Sequence, residues 1–195
     1  MICIWRINMR VSAIATVLMA SLGMMTLNAN AASTGTITFN GAVTANTCDV
    51  NIENQGENAT IKLPTVSTSA LNKAGDTAGR TAFTMTLSNC TVQTVGKQDT
   101  VSAFFQTGPS VNLSTGRLNN TEMQGANNVS LQLLDVTGNY NAIKVGNASQ
   151  ATNTQGVKVT DGGQATLPYA VEYYAEGQST AGAVTSTVVY NLQYK

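Results

Sequence analysis

The 195-residue sequence contains no histidine. That absence removes the imidazole base of any Ser-His-Asp or Cys-His arrangement, and with it zinc sites of histidine type. Charge is scarce as well, since Asp, Glu, Lys and Arg together make up 10% of the chain. The carboxylates Asp49, Glu53, Glu57 and Asp135 fall in strand-like or turn-like stretches with no motif to pair them, and they read as solvated surface groups. Calcium-loop and phosphate-loop patterns are missing, and "DGGQ" at Asp161 reads as a turn. No catalytic residue, metal ligand or cofactor site is expected, so the chain does not read as an enzyme. Its few Lys and Arg are scattered, which leaves no basic stripe to attract nucleic acid or an anionic membrane.

Long apolar runs are also absent after the first residues. There, Arg6 and Arg10 precede "VSAIATVLMASLGMMTL", and "NANAAS" follows with Ala29 and Ala31 in A-x-A spacing. The run of about seventeen residues is shorter than the roughly twenty that span a bilayer. A charged head, an apolar body and small residues at the end are the parts of a secretory signal peptide. Met9 is an alternative start, and cleavage falls after Ala31 or Ala32. Cleavage after Ala31 leaves 164 residues, enough for one domain with its own core, and no linker divides them.

Of three cysteines, Cys3 lies in the signal segment, leaving Cys48 and Cys90. Two cysteines in an exported chain predict one disulfide, and the rival reading as metal-binding thiols lacks any histidine or CxxC partner. In the chain-entropy description, closing a loop of about forty residues stabilises the fold by roughly 4 kcal/mol.

What the sequence has in quantity is period-two alternation. Apolar residues recur at every second position in Ala59, Ile61, Leu63; Phe83, Met85, Leu87; Val101, Ala103, Phe105; Val129, Leu131, Leu133; Leu167, Tyr169, Val171, Tyr173; and Val188, Tyr190, Leu192, Tyr194. Each reads as a strand with one buried face. Clusters such as "VTGNYN", "TDGGQ" and "STGRLNN" punctuate them as turns, and no stretch reads as a long amphipathic helix. Many short strands in one compact chain indicate an antiparallel sandwich, with Cys48 and Cys90 tying two strands together.

The stretch "GTITFNGAVTANTC", Gly35 to Cys48, resists that scheme. Asn40-Gly41 is a strong hairpin signal. A two-residue loop there, however, would put Val43 on the face opposite to Ile37 and Phe39, and neither face would be continuously apolar. Read as one extended segment, Ile37, Phe39 and Val43 share a side. The strand then lacks a partner.

"GTITFNGAVTANTCDV", Cys90 closing "FTMTLSNC", "VSLQLLDVTG" and the terminal "LPYAVEYYAEGQSTAGAVTSTVVYNLQYK" together resemble the type 1 fimbrial pilins of the chaperone-usher pathway. The C-terminal pattern is the most specific, with Gly182 fourteenth from the end, Tyr194 penultimate, and Val188, Tyr190 and Leu192 alternating between. The resemblance implies an immunoglobulin-like β-sandwich lacking its last strand. The groove this leaves is filled first by a periplasmic chaperone and then, after passage through an outer-membrane usher, by the N-terminal extension of the next subunit.

On that reading residues 1–31 are the signal peptide, 32–41 the donor-strand extension and 42–195 the pilin domain. Gly35, Ile37 and Phe39 form the donor strand, while Gly182, Val188, Tyr190, Leu192 and Tyr194 form the edge that accepts the chaperone or donor strand. Only Ala32, Ser33 and Thr34 precede Gly35, a short extension for a shaft pilin. The partners implied are identical or related pilin subunits, a periplasmic chaperone and an usher, with no nucleic acid. The place implied is an extracellular fimbria on the bacterial surface. A minor adaptor or tip adhesin of the same fibre is the alternative function. An outer-membrane barrel is disfavoured by the lack of tryptophan beyond Trp5. The intact mature protein should have a mass lower by two hydrogens than the reduced chain. Labelling of both thiols without reductant would contradict the disulfide.

Overall fold

The computed structural model describes residues 36–38, 47–91 and 99–195. The chain separates into two units, Met1–Ala42 and Val43–Lys195. Of the first, residues 36–38 lie in no strand, and Gly35, Phe39 and the Asn40-Gly41 pair fall outside the described residues.

In the second unit the alternating segments become strands. One sheet runs in the order β1 (Thr47–Ile52), β2 (Thr77–Thr91), β9 (Ala165–Ala175), β6 (Val129–Asp135), β5 (Arg117–Asn119) and β4 (Val111–Asn112), with β7 (Asn141–Ala142) also paired to β6. A smaller sheet has the order β10 (Tyr190–Tyr194), β3 (Thr100–Phe105) and β8 (Val157–Lys158). All pairs are antiparallel. A 3-10 turn at Thr68–Leu71 and a single-turn helix α1 at Gln150–Asn153 complete the described elements.

Side chains of alternate residues leave a strand on the same face, so the period-two pattern sorts each strand into an inner and an outer row. The inner rows meet in one cluster. Phe83, Met85 and Leu87 of β2, Leu167, Tyr169 and Val171 of β9, and Leu131 and Leu133 of β6 face Val101, Ala103 and Phe105 of the small sheet. Tyr169 stands between the layers, its ring edge-on to Phe105 at 5.3 Å and tilted against Phe83 at 5.9 Å. Its hydroxyl accepts the Ala103 N–H at 2.8 Å. A phenol thus closes a backbone donor for which β3 has no strand neighbour.

Gln150 does the same two residues further along. Its side-chain oxygen accepts the Phe105 N–H and its amide nitrogen donates to the Phe105 carbonyl, both at 3.0 Å. β8 pairs with only Thr100 and Val101, and beyond it these two side chains meet the Ala103 and Phe105 N–H groups, while the Phe105 carbonyl accepts the Gly146 N–H at 3.0 Å as well.

Cys48 and Cys90 form the disulfide, which joins β1 to its neighbour β2 at the end of their ladder. Asp135, expected as a solvated carboxylate, is instead 1% exposed. It accepts the backbone N–H groups of Gly138 at 3.0 Å and Gln155 at 2.8 Å, and this pairing is what makes its burial tolerable. On the outer face of the large sheet, Arg117 binds Glu176 through two nitrogens at 2.7 and 2.9 Å while its guanidinium lies 3.8 Å from the centre of the Tyr174 ring. That bond holds the Glu176 carboxyl below its usual range.

Burial pushes the Tyr169 phenol up to about 12. An unfolded tyrosine ionises near 10, so between about pH 10 and 12 the unfolded chain releases a proton that the folded chain keeps. Stability therefore falls as pH rises through that window. Tyr169→Phe should flatten this decline in urea unfolding of the mature protein. Near neutral pH it should cost about 1–3 kcal/mol, because the Ala103 N–H loses its acceptor.

Candidate functional site

The C-terminal segment runs extended from residue 183 to Lys195, although only its last part is a ladder strand. Its odd-numbered residues bond into the fold. The Ala183 carbonyl accepts from Ala126 N–H at 2.9 Å, the Thr185 carbonyl from Thr121 N–H at 2.8 Å, and the Val189 carbonyl from Gln106 N–H at 2.7 Å. Thr187 offers its carbonyl to the Ser110 hydroxyl. Asn191 and Gln193 lie opposite Phe104 and Ser102, and Lys195 exchanges both backbone bonds with Thr100. Extended residues direct their backbone groups to alternate sides. The even residues 184, 186, 188, 190, 192 and 194 consequently turn their N–H and C=O groups to the outer edge of β10, where no strand among the described residues lies.

The same even residues turn their side chains inward. Val184, Val188, Tyr190, Leu192 and Tyr194 are partly buried against the core, and the Ser186 hydroxyl is buried with no partner. One row of residues therefore has a half-covered apolar side and an unpaired backbone side.

The facing wall is residues 57–66. Ala59, Ile61 and Leu63, expected as a strand, are extended and half-buried against the same core but belong to no ladder. Their sequence marks the buried face correctly. What they lack is a neighbour. Among the described residues their backbone groups have no partner, whereas the intervening Thr60 is held on its other side by both atoms of the Gln55 amide, at 3.1 and 3.3 Å.

The two walls run antiparallel. At one end the Tyr194 hydroxyl lies 3.6 Å from Cys48 Sγ, and further along the Tyr190 hydroxyl donates to the Glu57 carbonyl at 3.0 Å. At the other end Val184 and Val66 share a cavity of about 490 Å³ with Leu71, Ala126, Val129 and Tyr173. Burial pushes the phenols of Tyr190 and Tyr194 above their ordinary range and so disfavours their ionisation, with the Glu57 carboxylate adding to the shift at Tyr190. The arrangement has the form of an apolar groove the length of a strand, with unpaired backbone on both sides.

Of the residues singled out in the sequence, Tyr190, Leu192 and Tyr194 lie on this edge and Val188 continues it upstream of the strand proper. Gly182 lines the cavity rather than the ladder. A Cβ there would stand 2.5 Å from the Gly125 carbonyl carbon and closer still to the Ala126 nitrogen, so close backbone approach is what requires the glycine. Ile37 is 77% exposed. Sequence reasoning missed Asn120, whose amide donates to the Ala126 and Ala183 carbonyls and accepts from Glu122 and Thr185 N–H. No local signal marks an asparagine that substitutes for a strand partner.

Residues 63–195 match the protein family described as FimA, type-1 fimbrial protein, A. The chain belongs to this family. It is 42% identical to the F17 fimbrial protein of Escherichia coli over 86% of this chain and 91% of the relative. It is 43% identical to the major fimbrial subunit SMF-1 of Stenotrophomonas maltophilia over 86% and 96% respectively. Its fold matches a subunit in a structure of a chaperone-usher pilus, with TM-score 0.55, 20% identity and coverage of 84% of this chain and 96% of that one. It also matches the P pilus rod subunit PapA, with TM-score 0.54, 19% identity and coverage of 76% and 99%. This type-1 fimbrial family member is a structural subunit of a bacterial surface fimbria, and its sandwich is the immunoglobulin-like pilin fold.

Asn120→Ala should free the segment at Thr185 while leaving the sandwich folded. The loss of four bonds should cost about 1–3 kcal/mol locally, read as at least about tenfold faster hydrogen exchange at the Thr185 amide and unchanged exchange in β9.

Proposed function

We propose that the groove between residues 57–66 and 184–194 accepts a β-strand from another polypeptide, and that in the fimbria this strand is the N-terminal extension of a neighbouring subunit. The observation that carries the reading is the alternation of the C-terminal segment, which presents six backbone positions, five of them with apolar side chains, together along one open edge. An unpaired apolar edge aggregates unless covered. Donor-strand complementation, a known form of β-augmentation, covers it by adding main-chain hydrogen bonds and filling the groove with alternate side chains.

In this reading residues 1–31 direct export and are removed, 32–41 form the donor extension, and 42–195 form the accepting domain. Gly35, Ile37 and Phe39 point into the groove of the preceding subunit, where Ile37 and Phe39 each contribute about 1.5–3 kcal/mol of burial before ordering costs. A periplasmic chaperone holds Val188, Tyr190, Leu192 and Tyr194 until an outer-membrane usher presents the next extension. The chain is a building block and not an enzyme. Similarity to a relative named as a major fimbrial subunit supports a place in the shaft.

Phe39→Asp should leave chaperone-bound subunit recoverable from the periplasm and abolish surface fibres. Leu192→Asp should lose both, because it damages the acceptor. Affinity purification and electron microscopy of sheared fibres report the two outcomes. Loss of the chaperone-bound monomer in Phe39→Asp, or normal fibres, would overturn the assignment.

A further inference from the structure

The inner row of β6 ends in a charge. Asp135 follows Leu131 and Leu133 on the same face, is buried, and accepts the N–H groups of Gly138 and Gln155 on its two oxygens. Those bonds supply no counter-charge. The direct ion pairs among the described residues are Arg80–Glu172, Arg117–Glu176 and Lys158–Asp99, and Asp135 is in none of them. A cation approaches it by another route. The Lys195 ammonium donates to the Thr154 carbonyl at 2.6 Å, and the N–H of the same peptide unit, that of Gln155, donates to Asp135 at 2.8 Å. One buried peptide thus carries an ammonium on its oxygen and a carboxylate on its N–H. The two charges lie no more than about 8 Å apart, and the peptide dipole between them is aligned so that each bond polarises the other. Burial holds the Lys195 ammonium below the ordinary lysine range, and the Asp135 charge partly offsets this.

Lys195 also closes the ladder of β10 with β3, exchanging both backbone bonds with Thr100 and accepting the Thr100 hydroxyl on its carbonyl at 3.1 Å. Thr154 belongs to the segment that leads into β8, on the other side of β3 from β10. None of these bonds uses the outer edge of β10, so a strand laid there, and another that replaces it, both leave them intact. We propose that Lys195 is a positioning residue, which ties the end of the C-terminal strand to Asp135 of the opposite sheet through the Thr154–Gln155 peptide and so holds Leu192 and Tyr194 in register for the strand that covers them. A strand end frays unless it is tied down. The role rests on the reading of the C-terminal edge as an acceptor.

The test compares Lys195→Met, which keeps the stem without the charge, Lys195→Arg, which keeps a charged donor, and Asp135→Asn. In the mature protein, Lys195→Met should quicken hydrogen exchange at the Lys195 and Gln155 amides about three- to tenfold, the range for loss of one net hydrogen bond, while Lys195→Arg stays within about twofold of wild type. In Asp135→Asn the Lys195 ammonium, followed by its side-chain NMR signal, should titrate at lower pH than in the wild type, a change that a role in packing alone would not produce. In cells, recovery of chaperone-bound subunit should fall about three- to tenfold in Lys195→Met and return in Lys195→Arg. Unchanged exchange at Gln155 in Lys195→Met, or unchanged titration in Asp135→Asn, overturns the bridge. Should Asp135→Asn fail to fold, the exchange measurement on Lys195→Met decides alone. Faster exchange with normal recovery of Lys195→Met overturns the positioning role. Normal recovery in Leu192→Asp overturns the acceptor reading instead, and leaves the bridge, which exchange and titration report without a partner, standing.

Discussion

Each residue of an extended chain offers its backbone N–H and C=O to one side only, and the next residue offers them to the other. Between 183 and 195 this rule divides the C-terminal segment into an odd half that bonds into the fold and an even half that has no strand beside it among the described residues. The inward bonds fix the segment in place, through Ala126, Thr121, Ser110, Gln106 and Thr100 in succession. Once they are made, the unpaired edge follows without further choice. The edge at which we propose that a strand docks is therefore the other half of a structure the fold needs for its own stability.

The opposite edge of the small sheet shows that an open edge is not forced on this chain. Along β3 the same problem is solved internally, by the phenol of Tyr169, the amide of Gln150 and the short strand β8. Buried backbone groups in folded proteins are nearly always paired, so an open apolar edge calls for a partner. The two edges of one three-stranded sheet thus contrast a surface completed from within with one that, as proposed above, is completed from outside. The fimbrial family to which the chain belongs is a family of assembled subunits, and a sandwich with one unfinished side suits such a protein.

The alternation in the sequence placed Phe83, Met85, Leu87, Tyr169 and Val101 in the core, because a pleated strand sorts its residues by parity and nothing else is needed to read it. The same parity identified Tyr190, Leu192 and Tyr194 as one face. It could not distinguish Ala59, Ile61 and Leu63 from a paired strand, since a buried face leaves the same trace whether or not the edge has a neighbour. Nor did it reveal Gln55, Asn120 and Gln150 as stand-ins for strand partners, because each acts on a backbone that the local sequence does not specify. Asp135 was misjudged for a related reason: its partners are main-chain N–H groups, and every residue type except proline supplies one.

The disulfide has a mechanical meaning distinct from its effect on the unfolded chain. Among the described residues the first strand, β1, starts at Thr47 on the margin of the large sheet, and a pull on its N-terminal end loads the ladder there. A ladder loaded at its end opens one hydrogen bond at a time. Cys48 stands one residue behind that entry point and is bonded to Cys90 in β2, which lies between β1 and β9. Load arriving from that side passes almost at once through a covalent link into the broad sheet, and β1 is shielded from being unzipped. A subunit whose neighbours pull on it along a fibre is thus gripped at an interior strand although the chain enters at the margin.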